Sequence, residues 1–352
     1  MRVLIVKVSS LGDIIHTLPA VTDAQFARKD VVFDWVVEEA FVEVPAWHPA
    51  VENIIPIALR RWRRTPIKTL INKEFRHFRQ ALQRQHYDLV IDAQGLIKSG
   101  VISRLSRGLT IGLSNRTIRE PMATLFYNKV YSVPWTEHAV DRVRQLFSRA
   151  LSYRYNKDII DYGLDLERIE PCMESTSAKS VIFLHGTTWS TKHWPEYYWR
   201  QLAHIAADAG YDVLLPWGDE EEKHRAQFIA QGIGSAKVLS KLDLSGLAGQ
   251  IIQAKGVIGV DTGLGHLAAA LNKPTVSLYG PTNPGLSGTF GLKQLHLKSN
   301  LNCAPCVKKV CTYTGPGVTD EYENHSFAVT PPCFATHKPE SVWQQFEELV
   351  AD

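Results

Sequence analysis

Residues 257–266 read V-I-G-V-D-T-G-L-G-H, a short β-branched run that stops at an acidic residue and gives way to a glycine-rich turn. Leu264, Leu267, Ala268 and Leu271 then recur at helical spacing, so the segment reads as strand, tight turn and helix start. A strand feeding a helix in this way is the unit of a parallel sheet with helices on its faces. The turn aims backbone N–H groups and the positive end of a helix dipole at one place, where a phosphate fits.

The same alternation runs along the whole chain. Strand candidates at 3–8, 31–37, 53–57 and 89–92 occupy the first half, with helical stretches such as 73–85 between them. The second half restarts the pattern at 181–184, 212–216, 256–260 and 275–279. Between them, residues 153–180 lose the rhythm among charges, Pro171 and three serines. The expected class is therefore α/β, with two Rossmann-like doubly wound domains facing a central cleft, because such sheets bind ligands beyond the carboxyl ends of their strands. Residues 1–155 form the first domain in this reading, 156–180 the linker, 181–335 the second domain and 336–352 a terminal helix. Val342, Trp343, Phe346 and Leu349 give that helix an apolar face that could pack back toward the first domain.

Composition narrows the class. Hydrophobic residues at 45% and charged residues at 21% are those of a globular enzyme rather than a disordered chain. No apolar run approaches the ~18 residues that span a bilayer, and strand-like residues follow Arg2 at once, so a cytoplasmic protein without a signal peptide is expected. Residues 1–150 hold 22 Lys+Arg against 14 Asp+Glu, an excess of +8, while the rest of the chain carries −5. The basic half thus suits an anionic partner: nucleic acid, an anionic membrane surface or a phosphorylated substrate. No nucleic-acid-binding motif accompanies it, which makes nucleic acid a minor option.

Several segments carry residues suited to chemistry. Gly263 to Ala268 matches the G-x-G-x-x-A dinucleotide fingerprint, but the acidic residue expected about 20 positions later is missing between Asp261 and Asp320. A plain strand-to-helix turn is the other reading; His266 in its first turn could add a donor to a bound anion or simply pack. The run from Phe183 to Pro195 ends a strand in Thr187 and Thr188 and continues to Lys192, hydroxyls and an ammonium that suit a departing phosphate. With the 257–266 loop on a nearby strand, the two make opposite sides of a diphosphate cradle. After Leu215-Pro-Trp-Gly218, Asp219 and three glutamates begin a helix; most complement its N-terminus, and one could reach ribose hydroxyls.

In the first half, K-V-S-S-L-G-D runs from strand into loop and ends at Asp13, either a first-turn carboxylate or a general base for an acceptor hydroxyl. Arg60, Arg61, Arg63 and Arg64 form the densest positive cluster, with Arg104, Arg107, Arg116 and Arg119 as possible additions, and Arg forks match phosphate or carboxylate. Cys303, Cys306, Cys311 and Cys333 could make a four-thiolate zinc site, but their spacing is irregular and His325 blurs the count, so reduced loop cysteines are the default.

At these residues the chain resembles the lipopolysaccharide heptosyltransferases of glycosyltransferase family 9, above all those that add the first heptose. The resemblance covers nearly the whole length: K-V-S-S-L-G-D-I-I-H-T-L-P-A near the start, W-V-V-E-E from Trp35, R-R-W-R from Arg60, D-A-Q-G-L from Asp92, R-E-P from Arg119, K-H-W-P from Lys192, L-P-W-G from Leu215, and V-D-T-G-L-G-H-L from Val260. It implies a GT-B glycosyltransferase with ADP-L-glycero-β-D-manno-heptose as donor and the Kdo of Kdo-lipid A, phosphorylated or not, as acceptor. Asp13 is then the base of an inverting transfer. Lys192, Thr187, Thr188 and the loop Asp261, Thr262, Gly263, Leu264 and His266 hold the diphosphate, Glu222 the ribose, and Leu242 lies near the adenine. Ser10, Gly12, Arg60, Arg61, Arg63, Arg64, Arg119 and His138 match positions expected to receive the anionic acceptor. The sequence has no Asp-x-Asp pair, which fits a transferase needing no metal or other cofactor, Lys192 and helix N-termini replacing the cation. The resemblance implies action at the cytoplasmic face of the inner membrane, to which the basic first half would give peripheral attachment. The cysteine-bearing tail, 302–334, is longer than in the enterobacterial pattern and resembles tails of enzymes that add the second heptose or act on a single phosphorylated Kdo. The rival readings are a heptosyltransferase adding the second heptose, a non-catalytic nucleotide-sugar or lipid binder, and a nucleotide-sugar epimerase.

Overall fold

The structure, a computed structural model, describes residues 1–64, 73–170, 177 and 179–351. It divides into two compact units, Met1–Arg168 and Ile169–Asp352, the boundary falling within the segment expected to be a linker. Pro171 and Ser175 of that segment lie outside the described residues.

In the first unit β1 (Arg2–Val6), β2 (Val32–Glu38), β3 (Val51–Ile57), β4 (Tyr87–Asp92), β5 (Gly108–Leu113) and β6 (Lys129–Tyr131) form a parallel sheet in the order β3-β2-β1-β4-β5-β6. β1 lies between two neighbours, Val3 pairing with Phe33 on one side and Leu89 on the other. Val3 to Val6 are wholly buried, and a strand covered on both faces has no reason to alternate, so the run is continuously apolar. One face of this sheet closes over Trp62, Phe78, Leu82 and Tyr87.

The second unit repeats the plan. β7 (Ser180–Leu184), β8 (Asp212–Leu215), β9 (Ala236–Val238), β10 (Gly256–Val260), β11 (Thr275–Tyr279) and β12 (Gln294–Lys298) are parallel in the order β12-β11-β10-β7-β8-β9. Counted from its own first strand, this is the order of the first sheet, and it is the doubly wound order that places a ligand crevice where the winding reverses. Those switch points lie between β1 and β4 and between β7 and β10.

Four strands escape the sequence pattern. β6, β9 and β12 are sheet edges with half-covered faces, and β5 is interrupted by Gly108 and Gly112. Gly112 is required by a close approach: a Cβ there would lie 2.3 Å from the Tyr127 ring. A small hairpin, β13 (Thr319–Tyr322) and β14 (His325–Ala328), also went unforeseen. Its two-residue turn is Glu323-Asn324, both at positive φ, the conformation that matches strand twist in tight hairpins.

The apolar face of the terminal helix Pro339–Ala351 buries Val342, Trp343 and Phe346 in the second unit's core beside Tyr211 and Trp199. The pattern of apolar residues shows that a helix has a buried face but not which surface covers it.

Candidate active site

The anion- and ribose-site candidates of the second unit lie on segments that follow the carboxyl ends of strands. β7 leads into the loop carrying Thr187, Thr188 and Lys192, and β10 into Asp261 and the helix Gly263–Ala270, so both flank the switch point. They meet there. Lys192 Nζ lies 2.7 Å from Asp261 Oδ2, Thr187 Oγ1 donates to the Asp261 carbonyl at 3.2 Å, and Lys192 Nζ stands 4.7 Å from the Trp189 ring centroid. Asp261 is nearly buried, its side chain 9% exposed. Thr282, on the loop after β11, donates to the same Oδ2 at 2.6 Å.

Thr262 is the N-cap of the helix Gly263–Ala270 with extended backbone and no side-chain cap bond. The amides of Gly263 and Leu264 that follow have no intrahelical acceptor by geometry, which leaves a row of donors beside Lys192. His266 is buried within that first turn, and Thr188 is exposed.

Glu222 has a defined place. It is the third residue of the helix Glu220–Ala230; its amide donates to the N-cap Asp219 Oδ1 at 2.9 Å, and its Oε2 accepts the Gly218 amide at 2.7 Å. It also leans over the β7 loop, where a Cβ on Gly186 would fall 2.2 Å from Oε1. Capping and reach into the site are therefore combined in one carboxylate. Trp217 Nε1 donates to the Leu239 carbonyl at 2.8 Å and draws the loop after β9 alongside. Half-buried Leu242 is on that loop, immediately before the helix Leu244–Gln253.

The four cysteines belong to this unit and line one small pocket with Thr191, Pro281 and Tyr313. All are free thiols, and burial pushes the Cys333 thiol up to about 12. Among the described residues no group of three or more His, Cys, Asp or Glu side chains is arranged to hold a metal ion. The cysteine-bearing loop does brace the site: Ser190 Oγ and Thr191 Oγ1 donate to the carbonyls of Lys309 and Lys308 at 3.0 and 2.7 Å.

In the first unit the candidates again follow strand ends. Asp13 occupies the third position of the short helix Leu11–Ile15, where Ser10 donates to its Oδ2 through both amide and hydroxyl at 2.9 Å. Its Oδ1 lies 3.5 Å from the buried Lys7 ammonium, and the side chain is 42% exposed. Gly12 is buried beneath this turn. One oxygen is thus tied down by the loop while the carboxylate keeps access to solvent.

Residues of D-A-Q-G-L hold that loop from the β4 side. Gln94 Oε1 accepts the Val8 and Ser9 amides, both at 3.0 Å, and Lys7 Nζ donates to the Ala93 carbonyl at 2.9 Å. Gln94 and Gly95 are fixed in turn by their amides on Asp92 Oδ1, and Tyr127 donates to Asp92 Oδ2 at 2.7 Å. Burial raises the Asp92 carboxyl above the usual range. Asp92, Gln94, Lys7 and Thr282 were not anticipated as site residues. The signal was their position at the ends of β1, β4 and β11, next to residues already singled out.

The cationic candidates separate by environment. Arg61 bridges Glu39 and Glu74, at 3.0 and 2.5 Å, so its fork is already engaged. Arg60 stacks at 4.9 Å over Phe41 while its amide donates to Glu38, and Arg63, Arg64 and Arg119 are exposed. Lys98, missed from sequence, is half-buried; burial and then Arg63 lower its ammonium below the ordinary lysine value. His138 caps the helix Ala139–Leu151, its Nδ1 accepting the Val140 amide at 3.2 Å, and packs edge-on at 5.5 Å against His16, which follows the Asp13 helix.

Two sheets of identical winding, with an ammonium and helix amides at one switch point and a positioned carboxylate at the other, are the parts of a nucleotide-sugar glycosyltransferase. The chain belongs to glycosyltransferase family 9 (heptosyltransferase), whose family model matches residues 75–315. It is 50% identical over 351 residues to lipopolysaccharide heptosyltransferase 1 of Pseudomonas aeruginosa, covering 99% of this chain and 98% of that protein. Among solved structures it is similar to Escherichia coli heptosyltransferase WaaC with ADP, at TM-score 0.84 and 41% identity over 99% of this chain and all of that one. WaaC with ADP-2-deoxy-2-fluoro heptose matches at TM-score 0.78 and 45% identity, covering 85% and 93% of the two chains.

Proposed function

We propose that this heptosyltransferase moves L-glycero-D-manno-heptose from ADP-L-glycero-β-D-manno-heptose to the Kdo of Kdo-lipid A, with inversion, in the inner core of lipopolysaccharide. The observation that carries the reading is the pairing of Lys192 with Asp261 at the N-terminus of the helix Gly263–Ala270. There the ammonium, the first-turn amides and the Thr187 and Thr188 hydroxyls receive the diphosphate, Glu222 the ribose, and Leu242 the adenine face.

A Kdo hydroxyl oxygen attacks C1 of the heptose as the C1–O bond to ADP breaks, and the hydroxyl proton passes to Asp13. Asp13 suits a base because Ser10 orients one of its oxygens and the side chain reaches solvent. Negative charge growing on the departing ADP is met by Lys192 and the helix amides, the work a divalent cation does in metal-dependent transferases, so we infer a metal-independent reaction. Arg60, Arg63, Arg64, Arg119 and His138 receive the acceptor's carboxylate and phosphates, with Arg61 held as their support. Among the described residues no helix is long and apolar enough to cross a membrane, and the reading places the enzyme peripherally on the cytoplasmic face of the inner membrane.

The test is direct. Purified protein with ADP-heptose and defined Kdo-lipid A, read by mass, gains one heptose on Kdo-lipid A in the presence of EDTA. Asp13→Ala keeps ADP-heptose binding and loses roughly 10²–10⁴-fold in transfer. Activity that disappears in EDTA and returns with magnesium contradicts the metal-free step; heptose appearing only on an acceptor that already carries one assigns the second-heptose reaction instead.

A further inference from the structure

The helix Ile97–Leu105 packs against the turn Pro121–Phe126: a Cβ on Gly100 would lie 2.7 Å from the Phe126 ring, and Glu120 accepts the Ile97 amide at 2.7 Å. The contact buries Ala123 and leaves its neighbours Met122 and Leu125 64% and 76% exposed. On the helix, Ile97 and Val101 are 40% and 39% exposed, one turn apart on the face next to Gly100. Exposed apolar side chains normally occur singly, and four gathered on two packed elements mark an interaction surface.

The segment that carries them has a one-sided charge. From Ala93 to Thr136 the sequence holds Lys98, Arg104, Arg107, Arg116, Arg119 and Lys129 against one carboxylate, Glu120, which is bonded to the Ile97 amide. Exposed apolar side chains on a basic segment match the two layers of an anionic bilayer, acyl chains beneath phosphates. A water-soluble anionic partner would not account for Met122 and Leu125, nor a neutral apolar one for the cations.

We propose that Ile97, Val101, Met122 and Leu125, together with the exposed Arg104 and Arg116 of the same segment, dock this unit on an anionic lipid bilayer. The apolar four enter the boundary between headgroups and acyl chains, and the cations pair with lipid phosphates. This rests on the lipid-acceptor reading above and gives that reading its membrane contact.

The full chain is tested by co-sedimentation with vesicles of phosphatidylcholine alone or with phosphatidylglycerol, beside transfer to vesicle-embedded Kdo-lipid A and to its fully deacylated, water-soluble form. Replacing both apolar tips (Met122→Ser with Leu125→Ser) lowers the vesicle-bound fraction roughly fivefold or more and slows transfer to the embedded acceptor, while the soluble acceptor is used within about twofold of wild type. Arg104→Ala weakens binding to anionic vesicles only. Unchanged vesicle binding by the double variant, with wild-type thermal unfolding, overturns the proposal. So does a wild-type dimer that the double variant dissociates, which assigns the surface to a second copy. Loss of vesicle binding in a protein that transfers heptose to neither acceptor leaves the docking surface standing and removes the lipid-acceptor reading.

Discussion

His48 shows how much one buried ring can decide. It is fully buried, its Nδ1 accepts the Ala50 amide at 3.1 Å, and Nε2 faces Thr22 Oγ1 at 3.0 Å. The Thr22 hydroxyl donates to the Leu18 carbonyl, so Nε2 carries the ring's hydrogen and the neutral form is the one that fits. Burial lowers its pKa from 6.5 to about 4. The unfolded chain takes up that proton more readily than the native one. Stability is therefore complete above about pH 6.5 and is lost as pH falls toward 4, by on the order of 3 kcal/mol. Urea midpoints between pH 7 and 4.5 should fall less steeply for His48→Asn, which keeps an acceptor for Ala50, than for wild type. At the site, Thr282→Val removes one donor from Asp261 Oδ2; the KM for ADP-heptose should rise about fivefold, with Thr282→Ser restoring it. An unchanged KM with a lower kcat would mean that Asp261 acts on the transition state instead. Thr282 could be placed from sequence only as a residue of the loop after β11; its bond to Asp261 depends on β11 lying beside β10, which no local pattern states.

At the scale of elements, strand ends explain most of what was legible. β1, β2, β4, β7, β10 and β11 are buried runs bounded by glycine or polar residues, and their periodicity alone located the loops that follow. Lys192, Asp261, Thr187 and Asp13 could be picked out because they occupy those loops. The register between strands could not, and so Gln94 bridging to Val8 and Ser9, or Glu222 folding over Gly186, became evident only in three dimensions. Gly186→Ala tests that last approach. The added methyl displaces the Glu222 carboxylate, so ADP binding measured calorimetrically should weaken about tenfold, or 1.4 kcal/mol. Thermal stability should stay near wild type; a large drop would show that Glu222 serves the fold through Gly218 rather than the ligand.

Across the whole molecule, two doubly wound sheets were legible in the alternation of strands and helices, while their common strand order became evident only in three dimensions. No internal sequence repeat announces that order, because a doubly wound sheet tolerates any apolar side chains that fill its core. Charge was legible at this scale from the start: +8 over the first 150 residues against −5 over the rest. Attachment to anionic vesicles should accordingly weaken steeply between 0.05 and 0.5 M salt, roughly the range over which screening shortens from about 14 to 4 Å. Attachment indifferent to salt would leave the apolar contact as its sole basis.

The tie between the Lys192 turn and the segment around Lys308 and Lys309 has a consequence for how such a chain can change. Rigidity of that turn is drawn in part from residues more than a hundred positions away, through two hydroxyls and two carbonyl oxygens. Under the function proposed above, shortening that distant stretch would loosen the grip on ADP before it altered the acceptor side, and a variant lacking it would have to steady the same turn by other means.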